Sequence, residues 1–332
     1  MNSKYNIIGL GLESSCDETS ASIVRNGKEI LSNIIFSQIN LHRDYSGVVP
    51  EIASRAHLEV INDLIDEALD KAGVKFSDLN YVAATNRPGL IGSLLIALQS
   101  AKAISYKLKI PLIAINHLEA HLFAPFLEGR DVFFPFIGLL VSGGNTILYN
   151  VKGIGELQII GKTVDDAVGE AFDKVAKFLN LGYPGGPVIE DMAKGVRGKK
   201  NFLPKILTAK KNDFRFSYSG LKTAVVNYIR EYPDAEKKEI VYNFQERALE
   251  LLVRRVFAAS RVYNIKKIVV AGGVAANGRL RDLLFENKGD EEIIIPSPEL
   301  CTDNAAMVAG VGFQYFREDK VNDLSVDVSP RI

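Results

Sequence analysis

Asn6-Ile-Ile-Gly-Leu-Gly-Leu-Glu13 runs through the small polar turn Ser14-Ser-Cys-Asp-Glu-Thr19 into a second apolar segment, Ser20-Ala-Ser-Ile-Val24. Two short apolar runs bracketing a turn predict a strand–turn–strand hairpin. The same grammar returns in Phe136-Ile-Gly-Leu-Leu-Val-Ser-Gly-Gly-Asn-Thr146, followed by Ile147-Leu-Tyr-Asn-Val151. One hairpin opening each half of the chain indicates a duplicated lobe. A third segment, Lys267-Ile-Val-Val-Ala-Gly-Gly-Val-Ala-Ala-Asn277, leads instead into a predicted helix from Gly278 to Phe285. There, backbone N–H groups and a helix N-terminus make a natural cradle for an anion or a nucleotide.

This ordered set of three turns resembles the framework of the actin, Hsp70 and sugar-kinase (ASKHA) superfamily. The resemblance implies an α/β fold of two lobes with a duplicated βββαβα core and an interlobe cleft. The expected division is 1–128 plus 305–332 for the N-terminal lobe and 129–304 for the C-terminal lobe, which would carry the nucleotide or donor pocket. Helical periodicity is predicted over Pro50 to Lys71, Leu90 to Lys109, Asp166 to Leu179 and Glu239 to Tyr263. Their apolar stripes read as core.

Composition narrows the function classes. At 332 residues, the chain is long enough for two lobes of roughly 150 residues each. Lysine plus arginine equals aspartate plus glutamate, 40 of each, so any nucleic-acid partner must be held by a local patch. The two cysteines, Cys16 and Cys301, are too few for a disulfide framework and suit a reducing compartment. Met1-Asn-Ser-Lys-Tyr5 has no signal-peptide layout, and the longest apolar stretch is interrupted by Gly92, Ser93, Gln99 and Ser100. A cytoplasmic protein without a membrane span is expected.

The chemistry begins at Asn116-His-Leu-Glu-Ala-His121, which holds two of the four histidines. Residues four apart share one helix face, so His117 and His121 can close on one metal ion, with a third ligand from elsewhere. Asp303, in Cys301-Thr-Asp-Asn304 at the predicted start of a helix, is the candidate.

Beyond these segments the chain is identified as resembling the tRNA N6-adenosine threonylcarbamoyltransferase family (TsaD, formerly the O-sialoglycoprotein endopeptidase family), of the bacterial type. The co-linear motifs are Glu13-Ser-Ser-Cys-Asp-Glu-Thr19, Gly47-Val-Val-Pro-Glu-Ile-Ala-Ser-Arg55, Pro88-Gly-Leu90, His117-Leu-Glu-Ala-His121, Leu140-Val-Ser-Gly-Gly144, Asp166-Ala-Val-Gly-Glu-Ala-Phe-Asp-Lys174 and Tyr183-Pro-Gly-Gly-Pro187. Phe216-Ser-Tyr-Ser-Gly-Leu-Lys-Thr223, Ala271-Gly-Gly-Val274 with Asn277, and Cys301-Thr-Asp-Asn304 complete the series. The resemblance implies that His117, His121 and Asp303 hold one divalent metal, Fe2+ or Zn2+. It further implies that Leu140, Val141, Ser142, Gly143, Gly144, Asp173, Gly186, Glu190 and Asn277 line the pocket of an adenylated donor, threonylcarbamoyl-AMP. The implied reaction moves the threonylcarbamoyl group to N6 of the adenosine beside the anticodon, in tRNAs reading codons that begin with A. Implied partners are the tRNA, a non-catalytic TsaB-like paralogue that dimerises with the chain, and a TsaE-like P-loop ATPase.

The residues suit that chemistry. A mixed anhydride is already activated, so no enzyme nucleophile is needed, only a Lewis acid or oriented dipoles for the developing charge. Asp17 is the candidate catalytic residue, orienting the incoming amine or a bound water. Three departures from the family pattern stand out: Asn145 after the second Gly-Gly, Asn86-Arg87 before Pro88-Gly89, and Asn116 with Ala120 around the histidines.

Lys194, Arg197, Lys199, Lys200, Lys205, Lys210, Lys211, Arg215 and Lys222, interleaved with Phe202, Phe214, Phe216 and Tyr218, form the expected tRNA contact: cations for phosphates, aromatics for bases. Two rivals meet difficulties. In a zinc protease the glutamate directly follows the first histidine, whereas Glu119 is two residues on and about 200° round the helix. A small-molecule kinase needs a Mg2+ site built from oxygens, not imidazoles.

Overall fold

The structure is a computed structural model that describes residues 6–42, 45, 47–196, 202–205 and 213–331. It divides into two units, 1–132 with 302–332 and 133–301. No helix among the described residues is long and apolar enough to cross a membrane.

The first unit is built on a sheet of five strands: β1 (Ile8–Glu13), β2 (Glu18–Arg25), β3 (Glu29–Ser37), β4 (Tyr81–Arg87) and β5 (Leu112–Asn116). Their order is β3-β2-β1-β4-β5, with β1 antiparallel to β2 and parallel to β4. Among the described residues, the α-helices up to this point are α1 (Ile39–His42), α2 (Pro50–Ala72), α3 (Ile91–Leu108) and α4 (His117–Phe123). The second unit repeats the plan with β6 (Phe136–Val141), β7 (Thr146–Gly153), β8 (Glu156–Lys162), β9 (Lys267–Ala271) and β10 (Glu292–Ile294). Read from β8, its order β8-β7-β6-β9-β10 has the same antiparallel and parallel pairings as the first sheet. The helices α5 (Val168–Phe178), α6 (Gly185–Ala193), α7 (Ser219–Glu231), α8 (Lys237–Tyr263) and α9 (Gly278–Asn287) belong to it. The last helix, α10 (Ala305–Arg317), returns to the first unit.

Alternation along β1 decides how α10 docks, because successive side chains point to opposite faces of the sheet. Leu10 and Leu12 enter one core with Val82 and Ala84 of β4 and with Ile61, Leu64 and Ile65 of α2. Gly9 and Gly11 occupy the other face. A Cβ on Gly11 would stand 2.2 Å from the Ala305 carbonyl oxygen and 2.7 Å from the Ala309 nitrogen. The backbone of α10 therefore lies directly against β1. Beside it the Tyr81 ring crosses the space over Gly9, and its hydroxyl donates to the Ala309 carbonyl at 2.7 Å. Neither contact leaves freedom for α10 to slide. Asp303 stands just before this helix, and Asn304 caps it by accepting from the Met307 N–H at 3.0 Å.

Gly11→Ala is expected to cost about 2–3 kcal/mol by overpacking backbone against backbone. Urea unfolding checks this; a loss under about 0.5 kcal/mol, the range of ordinary surface substitutions, would contradict so close an approach.

Candidate metal centre and donor pocket

Asn116 ends β5 and starts α4, its side chain accepting from the Leu118 N–H at 2.9 Å. That local cap is the work of the asparagine at this departure from the family pattern. The helix it starts is one of the most buried in the molecule: His117 is 9% exposed and His121 1%. Their rings meet edge to face, with centroids 4.6 Å apart. Asp303 Oδ1 lies 2.9 Å from His121 Nε2 and 3.7 Å from His117 Nε2. One ligand atom from each of the three side chains falls within 4.8 Å of the others.

Behind His117 stands a residue to which sequence reasoning assigned no role. Glu13, fully buried at the end of β1, places Oε2 3.0 Å from His117 Nδ1, and Ser15 Oγ is 3.1 Å from the same nitrogen. Its other oxygen accepts from the Ser15 N–H at 2.6 Å and from Thr85 Oγ1 at 3.3 Å. An ionised carboxylate only accepts, so Nδ1 is held as the donor. The Nε2 atom of His117 then faces Asp303 with either a proton or a lone pair. Among the described residues His121 Nδ1 is buried with no hydrogen-bond partner, and the ring meets the cluster through Nε2. The one signal for Glu13 in the sequence is a charged residue at the end of an otherwise apolar strand.

The electrostatics call for positive charge. Burial opposes a charge on His117, but Glu13 and Asp303 outweigh it and raise its pKa to about 9. Burial likewise pushes Asp303 up, yet His117 and His121 pull it down to about 2. Glu119, between the two histidines in sequence, accepts from the Tyr315 hydroxyl of α10 at 2.8 Å. It is thereby tied to a different element, which agrees with the argument against a protease.

Asp17 sits half-buried in the turn between β1 and β2. Asp303 acts on both its neighbours: burial first, then Asp17 and Asp303, push up the Cys16 thiol. Glu18, hydrogen-bonded to Asp17, is raised to about 9 by burial, then by Asp303 and Asp17. Neither Cys16 nor Cys301 forms a disulfide.

The nine donor-pocket candidates all lie in the second unit, where their placements differ. Leu140 and Val141 are buried in β6, and the turn after them is closed by Ser142 N–H on Asn145 O at 2.8 Å and Asn145 N–H on Ser142 Oγ at 3.1 Å. The N-terminus of α5 rests on this turn, with the Glu170 N–H donating to the Gly143 carbonyl at 3.1 Å. Asp173 accepts from the Gly185 N–H at 2.7 Å, and burial raises its pKa. Asn277 caps α9 by accepting from the Leu280 N–H at 2.9 Å, while its amide donates to Gln245 at 3.1 Å. Glu190 accepts from the Gly278 N–H at 2.8 Å at the same helix start. Around Glu190, Gly278, Tyr242 and Arg279 opens a cavity of about 550 Å³. Among the described residues, nothing lies within 4 Å of where a Cβ would stand on Gly143, Gly144 or Gly186, so that packing does not require glycine there.

The aromatic part of the expected tRNA contact is corrected. Phe214, Phe216 and Tyr218 are 6%, 0% and 0% exposed and belong to the core of the second unit. Their spacing of two is that of an extended segment with one face turned inward, and Phe216 bridges Thr163 beside β8. Phe202 stacks on Tyr228 with centroids 3.8 Å apart. Of the cations, Lys194, Lys205, Arg215 and Lys222 pair with Asp191, Glu250, Asp213 and Asp166 respectively. Arg197, Lys199, Lys200, Lys210 and Lys211 lie outside the described residues.

Comparison with known proteins adds the biochemical context. The family model for tRNA N6-adenosine threonylcarbamoyltransferase (TsaD) matches residues 29–310. Proteins of that name from Treponema denticola and Geotalea daltonii are 48% and 50% identical, covering 97% of this chain in each case and 96% and 95% of theirs. The Clostridioides difficile protein of that name is 44% identical over 98% of both chains. Among solved structures, the HypF protein of T. kodakarensis matches 95% of this chain with a TM-score of 0.65 and 13% identity, although the match spans 48% of HypF. Component A of (R)-2-hydroxyglutaryl-CoA dehydratase from Acidaminococcus fermentans matches 93% of this chain and 98% of its own, with a TM-score of 0.55 and 18% identity. At those identities the likeness speaks for the fold, and with the repeated strand order it bears out the ASKHA-like α/β architecture.

A group whose folded pKa is raised lends stability below its unfolded value and loses it as pH rises through the folded value. For His117 that window runs from 6.5 to about 9. In metal-free protein the unfolding free energy should fall across it, and His117→Gln should flatten part of the fall. Urea titrations at several pH values measure this; an unchanged slope would contradict the coupling of His117 to Glu13 and Asp303.

Proposed function

The chain belongs to the tRNA N6-adenosine threonylcarbamoyltransferase family, and from that premise we propose that it takes the threonylcarbamoyl group from threonylcarbamoyl-AMP, with one Fe2+ or Zn2+ held by His117, His121 and Asp303. Membership makes it an enzyme of tRNA modification, acting on N6 of an adenosine. The acceptor in this reading is the adenosine beside the anticodon of tRNAs that read codons beginning with A. A TsaB-like paralogue and a TsaE-like ATPase are the proposed protein partners, and the cytoplasm is the proposed location.

The observation that carries the reading is the convergence of two imidazole Nε2 atoms on one carboxylate oxygen, with Glu13 holding Nδ1 of His117 as a donor. Two nitrogens and an oxygen suit iron or zinc, and three protein ligands leave positions open for substrate. The carboxylate behind the imidazole supports the same assignment, since a ligating histidine usually donates its other N–H to such a group. When bound, a divalent cation supplies a Lewis acid for the carbonyl and the leaving phosphate.

The remaining work falls to the chain. N6 attacks the carbamoyl carbon, the bond from that carbon to the phosphate oxygen breaks, and AMP leaves with the bonding pair while N6 loses a proton. Asp17 is the proposed group that orients the amine and receives that proton. Leu140 to Gly144, Asp173, Gly186, Glu190 and Asn277 form the proposed donor site. Glycines with open space at the Cβ position support it, and Glu190, alone of the nine, lines the cavity of about 550 Å³. At this site Asn145, where the family commonly has histidine, can hydrogen-bond a ligand but cannot exchange protons near neutral pH.

The purified protein should contain about one equivalent of iron or zinc, and His117→Ala should remove it; metal content unchanged by that substitution would contradict the ligand set. Incubated with threonylcarbamoyl-AMP, such a tRNA and the partner proteins, the enzyme should yield modified adenosine by nucleoside mass spectrometry. Asp17→Asn should lower kcat about 10²–10⁴-fold. Phosphorylation of a sugar by the chain alone would overturn this reading.

A further inference from the structure

Two histidines remain that the reaction does not use, and both are buried: His42 is 1% exposed and His57 0%. Gln38, also fully buried, lies between them. The Val49 N–H donates to His42 Nδ1 at 3.4 Å, and His42 Nε2 lies 3.2 Å from Gln38 Oε1. Gln38 Nε2 is 3.3 Å from His57 Nδ1, and His57 Nε2 is 3.0 Å from the Cys16 carbonyl oxygen. Thr19 Oγ1 adds a second contact to His57 Nδ1 at 2.7 Å.

The two ends fix every proton in this chain. A backbone N–H can only donate and a carbonyl can only accept. His42 therefore accepts at Nδ1 and donates at Nε2, Gln38 accepts through its oxygen and donates through its nitrogen, and His57 donates to Cys16. Both rings are neutral Nε2–H tautomers. Burial lowers the pKa of His57, which agrees with a neutral ring.

The far end of the relay reaches the turn that carries Asp17. The Cys16 carbonyl is held by His57, and the Asp17 carbonyl accepts from the Gln38 N–H at 2.9 Å. Those two peptide planes flank the Asp17 Cα, so pinning both sets the direction in which its carboxylate leaves the backbone. We propose that His57 is a positioning residue for Asp17, acting through the Cys16 carbonyl, with Gln38 and His42 holding His57 in the required tautomer. This rests on the reading of Asp17 as the group that meets the amine.

Two substitutions separate the functions of the ring. Glutamine reaches as far as Nε2 and keeps a donor for Cys16; asparagine reaches only as far as Nδ1 and does not. His57→Asn should lower kcat about 10²-fold, the cost of a misplacement on the order of 1 Å, with KM for the donor and metal content unchanged. His57→Gln should restore most of the turnover. Equal losses in both variants would mean that the ring only fills space, and full activity in His57→Asn beside an inactive Asp17→Asn would remove the proposal alone. Full activity in Asp17→Asn would instead remove the reading of Asp17 itself. The unsubstituted protein offers an independent check, because only four histidines contribute to its ¹⁵N-imidazole spectrum. His57 should appear there as neutral Nε2–H at pH 7; an Nδ1–H tautomer or a protonated ring would overturn the proposal.

Discussion

Two carboxylates, Glu13 and Asp303, approach the same imidazole from opposite nitrogens, and the local structure is arranged to keep them there. Glu13 comes from the end of β1 and is fully buried, with hydrogen bonds that occupy both its oxygens. Asp303 comes from the entrance to α10 and meets both histidines through one oxygen. Removing two acids from water in so small a volume is costly unless positive charge joins them. A proton on His117 supplies part of that charge, as its raised pKa records. A divalent cation bound there would supply more.

Glycine makes this geometry stable. Gly9 and Gly11 clear one face of β1, and α10 settles on that face closely enough to exclude a single methyl group. The carboxylate at the start of α10 is thus registered against a strand whose last residue is the other carboxylate. Tyr81 and Tyr315 fasten the same helix at two further points, the second through Glu119 of the histidine helix. The second unit repeats the same strand plan. Its polar candidates, Glu190 and Asn277, gather at the start of α9 rather than around imidazoles.

Much of this was legible in the residues. Apolar runs closed by small polar turns predicted both hairpins and the strand before α9, because period-two burial and turn chemistry are local properties. The spacing of His117 and His121 predicted a shared helix face for the same reason. Long-range relations were less visible. Glu13 and His57 act through partners 104 and 41 residues away in the chain, which no spacing reveals. Phe214, Phe216 and Tyr218, interleaved with cations in the sequence, read as an exposed set that meets bases. Their alternation was the stronger signal, since an extended segment turns every second residue the same way, and here that way is inward.

X-ray absorption at the iron and zinc edges of the purified protein tests the central claim most directly. The account predicts one metal bound by nitrogen and oxygen, with the multiple-scattering pattern of two imidazoles and one carboxylate. A spectrum with sulfur in the coordination shell, or with fewer than two imidazoles, would contradict it.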